Sequence, residues 1–427
     1  MPFKTLFLTA ISPWPPHDGT SQRTNMLLRA LAQCGSVDML LTPQGLTAHA
    51  PDVVERLRRD FHLVEYVQTE ASRSRLPVGL LRPLAPLFRP IYGGGTGLLR
   101  LSFAAEPPLS LGLQRALSRT RYDVIVVRYL RPAARFGAFG FAPLIVDVDD
   151  IDTERCRTQL RAPGTPVWAR WILRKRLAQL EREVPPLLQR AQHLWVCSRE
   201  DRAFVPADNV SILPNIPFVA EGGEAPGTPA PPPEEPRLLM VGALKYVVNE
   251  RGVDRFLSAT WPAVRAAHPR ARFRIVGSGM SGLQRARWRR SAGVEPVGFV
   301  EDLAREYAQA SFTVVPLFEG GGTKIKALES LLHGRACVVT SHVERGFAPF
   351  LVHGESLWVA KDEHAFAEGC IELLGDRTRC DALATRGREQ VLKHFSFPAF
   401  AEIVRNTLER LSARFPGGVQ VVSDARP

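Results

Sequence analysis

SFTVVPLFEGGGTKIKALESLLHGRACVVTSHVERG, residues 311–346, holds one complete strand, turn, helix and strand unit. Ser311 to Val315 is an apolar run of strand length closed by Pro316. Gly320, Gly321 and Gly322 then break the chain, and Thr323 opens a helix that stops at Gly334 before a second strand, Ala336 to Thr340. A turn without side chains lets a ligand touch the backbone, and the first amides of a helix are unpaired donors suited to phosphate oxygens. Lys324 and Lys326 put positive charge at the helix start, where the helix dipole by itself prefers acids, so an anionic ligand resolves the conflict. Glu329 follows at i+3 from Lys326, roughly two turns into the helix.

Size sets the frame for this unit. A chain of 427 residues is too long for one core of common size and predicts two domains of about 200 residues each. Cys34, Cys156, Cys197, Cys337, Cys370 and Cys380 show no CxxC spacing, so neither a zinc site nor a disulfide framework is expected and a reducing compartment is the default. No run of 18 apolar residues occurs, and LFLTAI, residues 6–11, reads as a first strand rather than a signal peptide. The net charge of +12 and pI near 9.9 suit an anionic partner: nucleic acid, membrane or small anions. No zinc finger, RNP-type aromatic motif or helix-turn-helix pattern accompanies the charge, which argues against nucleic acid. Its arginine richness is also what a GC-rich coding sequence produces.

GGGTKIKALESLLHGRACVVTS, residues 320–341, resembles the donor-site segment of the family 4 glycosyltransferases, in the branch of exopolysaccharide-type sugar transferases with a triple glycine, a Thr and a basic residue before the glutamate. The resemblance implies an α/β protein of GT-B fold: two Rossmann-like doubly wound parallel-sheet domains, a deep interdomain cleft and a C-terminal crossover helix. It implies Glu329 as the ribose ligand, and Gly320, Gly321, Gly322 and Thr323 lining the donor sugar and diphosphate, with Lys324 and Lys326 beside them. Many relatives carry two glutamates separated by seven residues, but that spacing falls on Gly321 here. Either Glu319, two positions earlier, reaches the sugar from a shifted turn, or backbone groups replace the missing carboxylate.

The same alternation runs through the rest of the chain. Lys4 to Ile11, the helix Ser21 to Cys34 and Val37 to Leu41 form an opening β-α-β unit. PWPPHDGTSQRTNMLLRALAQ, residues 13–33, resembles the opening of the same transferases and makes Asp18, Gly19 and Arg23 candidates for the acceptor side of the cleft. Residues 71–105 hold five arginines and no Asp or Glu, which fits either an anionic membrane surface or an ordinary loop and helix. Tyr122 to Val127 and Pro143 to Val148 are buried parallel strands whose exits carry Arg128, another cleft candidate, and Asp149, Asp150 and Asp152. Three acids invite a metal reading. The resemblance makes this loop the start of linker helices and not a metal site, with Asp152 or Thr153 capping the next helix.

Residues 155–202 carry eleven Arg or Lys against four acids, either a face for a membrane or acidic partner or a solvated helix. Pro214 and Asn215 match the step before the interdomain linker, and residues 217–236 hold seven prolines and three glycines. The expected organisation is an acceptor domain over 1–216, a linker over 217–236, a nucleotide-sugar domain over 237–395, a crossover helix over 396–414 and a loose tail over 415–427. GALKYVVNERGVDRFL, residues 242–257, resembles the first turn and helix of the nucleotide domain, where Gly242, Lys245 and Asn249 are donor-side candidates and Arg251 is a further one. Gly277, Gly279 and Gly282 form a GxGxxG with Glu301 and Asp302 after the next strand, a pattern that dinucleotide sites and glycosyltransferases share. Gly298 and Phe299 fall in VEPVGFVEDLAREYAQA, residues 294–310, which resembles the segment that contacts the base.

The sequence therefore predicts transfer of a sugar from a nucleotide-diphosphate sugar, as co-substrate and without a cofactor or metal, to a glycan or lipid-linked acceptor. Lys324, Lys245, Gly322 and Thr323 are the groups expected to stabilise the departing diphosphate. The expected location is cytoplasmic and peripheral at the inner face of the membrane. The rivals are a sugar-nucleotide epimerase and a non-catalytic carbohydrate- or partner-binding scaffold of the same fold.

Overall fold

The computed structural model describes residues 2–16, 18–43, 49–68, 103–149, 151–161, 165–205, 207–218, 231, 233–319 and 323–422. Gly320, Gly321, Gly322, Asp150 and the arginine-rich stretch up to residue 102 lie outside the described residues. The chain divides into two compact units, residues 1–214 with 400–427, and residues 215–399.

Unit 1 is built on β1 (Phe3–Thr9), β2 (Gly35–Leu41), β3 (Leu63–Tyr66), β4 (Val124–Arg128), β5 (Phe141–Ala142), β6 (Leu144–Val148), β7 (His193–Val196) and β8 (Val210–Ile212). Seven of these form one sheet in the order β3-β2-β1-β4-β6-β7-β8, with every pairing parallel. All five residues of β4 and of β6 are buried, as strands covered on both faces must be. Its helices are α1 (Gly19–Ala32), α2 (Pro51–Asp60), α3 (Pro107–Arg119), α4 (Leu130–Phe136), α5 (Asp152–Arg161), α6 (Val167–Arg190) and α7 (Arg199–Ala203). Leu6, Leu8, Ile125, Val127, Val146 and Val196 share one core with Leu113 of α3 and Phe136 of α4. Each such large side chain removed from water contributes about 1.5–3 kcal/mol before entropy is counted.

The terminal helix, Phe397–Arg414, buries Phe400, Val404, Leu408 and Leu411, a stripe at helical spacing, and the Trp195 indole N–H donates to Thr407 Oγ1 at 3.2 Å. The expected loose tail is corrected over 415–422. Gln420–Val421 pairs antiparallel with β5, and Val419 N–H donates to the Tyr122 carbonyl at 2.8 Å, because Phe141 and Ala142 offer a free strand edge there. Asp152 does not cap its helix either: it lies inside the first turn of α5 and accepts from Arg155 at 2.6 Å.

Unit 2 has β9 (Arg237–Val241), β10 (Arg272–Val276), β11 (Val294–Gly298), β12 (Phe312–Val315), β13 (Cys337–Thr340) and β14 (Trp358–Ala360). They form a parallel sheet in the order β11-β10-β9-β12-β13-β14, the 3-2-1-4-5-6 order of doubly wound nucleotide folds. Its helices are α8 (Val247–Arg255), continued by a π-helical turn Phe256–Thr260, α9 (Trp261–Ala267), α10 (Gly282–Trp288), α11 (Leu303–Ala308), α12 (Ile325–Leu332), α13 (Ser341–Glu344), α14 (Glu363–Gly375) and α15 (Arg377–His394). The strand order reverses between β9 and β12, so the chain leaving Val241 and the chain leaving Val315 emerge as neighbours. Helix α12 starts at Ile325, two residues later than the sequence reading, with Lys324 at its cap; Glu329 is then one turn in rather than two.

The GxGxxG glycines have a backbone role. Gly242 N–H donates to the Val276 carbonyl at 3.0 Å and Leu244 N–H to the Ser278 carbonyl at 2.7 Å, so two exit turns cross in contact. At Gly277, with φ +146°, a Cβ would lie 1.8 Å from the Gly242 carbonyl oxygen. Gly282 has nothing within 4 Å and opens α10 behind a Ser281–Gln284 capping box, while Asp302 caps α11 by accepting from Arg305 N–H at 3.0 Å. Gly277→Ala should cost about 2 kcal/mol or more, which at roughly 2–4 °C per kcal/mol lowers the melting midpoint by at least about 4 °C. Gly282→Ala should leave the melt unchanged. Equal melts for the two variants would remove the crossing as the reason for the pattern.

Candidate functional site

The carboxyl edge of the unit 2 sheet, at the β9/β12 reversal, gathers the donor-side candidates. Helix α8 comes close to the β12 exit because Gly252 has no side chain: a Cβ there would stand 2.6 Å from the Pro316 carbonyl oxygen. That approach lets Arg251 pair with Glu319 Oε1 at 3.0 Å across the two exit segments. One turn earlier, Asn249 is fixed by donating from Nδ2 to the Ala243 carbonyl at 2.8 Å, and its Oδ1 accepts from Lys326 Nζ at 2.7 Å. A Cβ on Gly242 would sit 3.0 Å from that same ammonium. Lys326, Asn249 and Gly242 thus meet at one point, with the lysine head lying over a bare Cα.

Below them on α12, Glu329 Oε2 accepts from the Tyr307 hydroxyl at 3.4 Å, and the Tyr307 ring is buried and stacked on His333 with centroids 4.6 Å apart. Burial, with the Lys324 charge adding to it, depresses the Lys326 ammonium to about 7. Burial also raises the Glu329 carboxyl above its ordinary range, against the opposing Tyr307 hydrogen bond and Lys326 charge. Both shifts disfavour charge. A ligand that carries negative charge to Lys326 and hydroxyl donors to Glu329 relieves both penalties. Thr323 Oγ1, just ahead of the helix, is buried and has no hydrogen-bond partner among the described residues. Among those residues no group of three or more His, Cys, Asp or Glu is placed to hold a metal ion.

Lys245 is exposed, its ammonium 5.7 Å from the centroid of the Tyr246 ring, and its Cβ bears on Gly279. At the end of β11 the Gly298 carbonyl is taken by Gly277 N–H at 2.8 Å, whereas the Phe299 ring is 73% exposed. Lys326, Asn249, Gly242, Glu329 and Thr323 are therefore grouped at or beside the reversal, and Glu319 is tied to it through Arg251. Tyr307 was missed: in EYAQA it reads as one more aromatic on an amphipathic helix, and only the fold brings its hydroxyl to Glu329.

Residues 235–376 match the family model described as Glycosyl transferases group 1. Among solved structures, the chain is similar to sucrose-phosphate synthase from Thermosynechococcus elongatus, at 17% identity and TM-score 0.65 over 96% of this chain and 100% of that one. It is also similar to TarM, at 10% identity and TM-score 0.63 over 95% and 98%. A third likeness is to HepE from Anabaena in complex with UDP and glucose, at 15% identity and TM-score 0.59 over 96% and 100%. At these identities the likeness establishes the fold, which is GT-B. No curated protein sequence matches the chain significantly.

Unit 1 of this GT-B chain treats its candidates differently. Asp18 and Gly19 are exposed, and the Asp18 carboxylate caps α1 by accepting from Thr20 and Ser21 N–H at 3.1 and 3.0 Å. Arg23 and Arg128 are corrected as cleft residues, because both are fully buried. Arg23 holds Asp147 with Nε at 3.0 Å and Nη2 at 2.7 Å and donates to the Leu213 carbonyl at 3.1 Å. Arg128 pairs with the same carboxylate and with Asp149 Oδ2 at 3.1 Å, which also accepts from Tyr129 OH at 3.0 Å. Asp147 sits inside β6, so its charge requires cations, and the two arginines are that compensation. Arg23→Met should lower unit 1 stability by about 3 kcal/mol or more, read by urea denaturation. A ligand-facing arginine would give a variant of unchanged stability.

Proposed function

We propose that this protein is a glycosyltransferase that moves a sugar from a nucleoside-diphosphate donor to a hydroxyl of a glycan or lipid-linked acceptor, with retention at the sugar carbon and without a metal. The observation that carries the reading is the single helix α12, which sets Lys326 over Gly242 and Glu329 one turn deeper at the reversal point of a group 1 domain. In this reading Glu329 accepts the ribose hydroxyls, held by Tyr307. Lys326, Lys324 and Lys245, with the amides around Gly322 and Thr323, oppose the charge that develops on the departing diphosphate. Asn249 positions Lys326. Phe299 offers an exposed ring at the β11 end to the base. Glu319 is released from Arg251 when the donor enters, which leaves the arginine for phosphate and the carboxylate for the sugar. HepE was solved with UDP and glucose, which supports this donor class. The enzyme acts in polysaccharide or glycoconjugate synthesis, as a hexosyltransferase of the cytoplasm whose lipid-linked acceptors lie at the inner membrane face.

Glu329→Ala and Lys324→Ala should each lower turnover at least about tenfold, the scale of roughly 1.4 kcal/mol in the barrier. Thermal-shift screening against UDP-, GDP- and dTDP-sugars identifies the donor first. Nucleotide release that depends on a separate acceptor distinguishes transfer from epimerisation and from mere binding. Normal turnover in both variants removes this site assignment.

Lys326 makes the donor affinity pH-dependent. Its free-state pKa near 7 lies below the ordinary lysine value, and a bound diphosphate favours the charged form. The affinity is therefore full below pH about 7 and falls as pH rises above it, with uptake of a proton on binding. Lys326→Met should bind more weakly at pH 6 and lose this slope, and isothermal titration in buffers of different ionisation enthalpy reads the proton directly. Equal slopes in wild type and variant would exclude Lys326 as the titrating group.

A further inference from the structure

Helix α6 presents an outward face that nothing in the transfer reaction uses. Its buried side is Ala169, Leu173 and Leu180, packed with Cys156 of α5. At about 100° per residue, Val167, Trp171, Arg174 and Lys175 fall on the opposite side, and Arg170 lies exposed at its flank. Val167 is 82% exposed, Trp171 62% and Trp168 38%. Lys175 Nζ stands 5.3 Å from the centroid of the Trp171 ring, so cation and indole share one patch. Between Val167 and Glu181 this helix has no Asp or Glu, and beyond Glu181 charges of both signs alternate. The apolar and basic character is thus confined to the first turns of α6.

Scattered exposed apolar residues are ordinary, but two indoles and a valine side by side, ringed by cations with no acid among them, form a patch with a matched surface. An indole prefers the boundary between water and acyl chains, and Lys and Arg stems reach past it to anionic headgroups. A second copy of this chain fits badly, because its own Arg170, Arg174 and Lys175 would meet these. No helix among the described residues is long and apolar enough to cross a membrane, so any bilayer contact these residues make is interfacial. We propose that the N-terminal turns of α6 dock the protein on an anionic phospholipid surface, with Trp171 and Val167 entering the headgroup boundary and Arg170, Arg174 and Lys175 pairing with lipid phosphates. The proposal stands independently of sugar transfer.

The test is cosedimentation of the full chain with vesicles of phosphatidylcholine alone and of phosphatidylcholine mixed with phosphatidylglycerol. The expected result is binding to the mixed vesicles alone, reduced at least about tenfold both by Trp171→Ala and by Arg170→Glu with Arg174→Glu and Lys175→Glu, and weakened by salt. All four side chains are exposed, so the melting midpoint should not move, and an unchanged midpoint separates lost docking from misfolding. Unaltered vesicle binding in either variant, or no binding by the wild type, overturns the proposal. So does a Trp171→Ala variant that breaks up a dimer in size-exclusion chromatography while still binding vesicles, which would make the face a contact between copies.

Discussion

A lysine ammonium resting over a glycine Cα, where the strand order of unit 2 reverses, is the constraint from which the rest of the site follows. A Cβ at position 242 would crowd the contact by which Lys326 reaches Asn249 Oδ1 at 2.7 Å, standing 3.0 Å from the ammonium, and for Gly242 to hold its turn position 277 must lack a side chain. Asn249 is in turn aimed by the Ala243 carbonyl, and its helix is brought in by Gly252 against Pro316. Three glycines far apart in sequence therefore serve one geometric end. Gly252 and Gly277 each remove a Cβ that would separate two exit segments, Gly242 removes one that would crowd Lys326 and Asn249, and together they leave backbone and cations facing the same space.

Unit 1 uses charge in the opposite sense. Arg23, Arg128 and Asp147 are fully buried, and their charges are spent on one another. A buried carboxylate with two guanidiniums is weak evidence of net stability, because desolvation offsets much of the attraction, but removing one member leaves an uncompensated charge and is costly.

Sequence periodicity was enough for the central strands, because buried parallel runs such as IVV and LIVDV leave few alternatives, whereas the edge strands Leu63–Tyr66 and Trp358–Ala360 are too short to show a period and were not read. Glu329 and Lys326 stand out in the sequence through the glycine-Thr-basic pattern, and the fold brings them to the reversal point beside Asn249 and Tyr307. Arg23 could not be read correctly: in TSQRTNM it stands among polar residues and looks solvated, and the carboxylate that draws it inward is Asp147, over a hundred positions away on β6. The 415–422 segment was misjudged for a similar reason. Its strand partner is a two-residue edge at Phe141–Ala142, too short to register as a strand in sequence.

The two ionisable groups of α12 show why burial and ligand class are connected. A lysine pulled down to about 7 and a carboxyl pushed up are each held in surroundings that penalise their charged forms, and a helix carrying both at i and i+3 would be expected to let them neutralise each other. Their hydrogen-bond partners are instead neutral: Lys326 donates to an amide oxygen, and Glu329 accepts from a phenol. The pair is thus held short of full mutual compensation by Asn249 above and Tyr307 below. A molecule with phosphate oxygens at one end and vicinal hydroxyls at the other, spaced by a helical turn, supplies what each group lacks. That demand on the ligand comes from the two side chains themselves, and it is the ground on which a nucleoside diphosphate rather than a simple anion is proposed for this edge of unit 2.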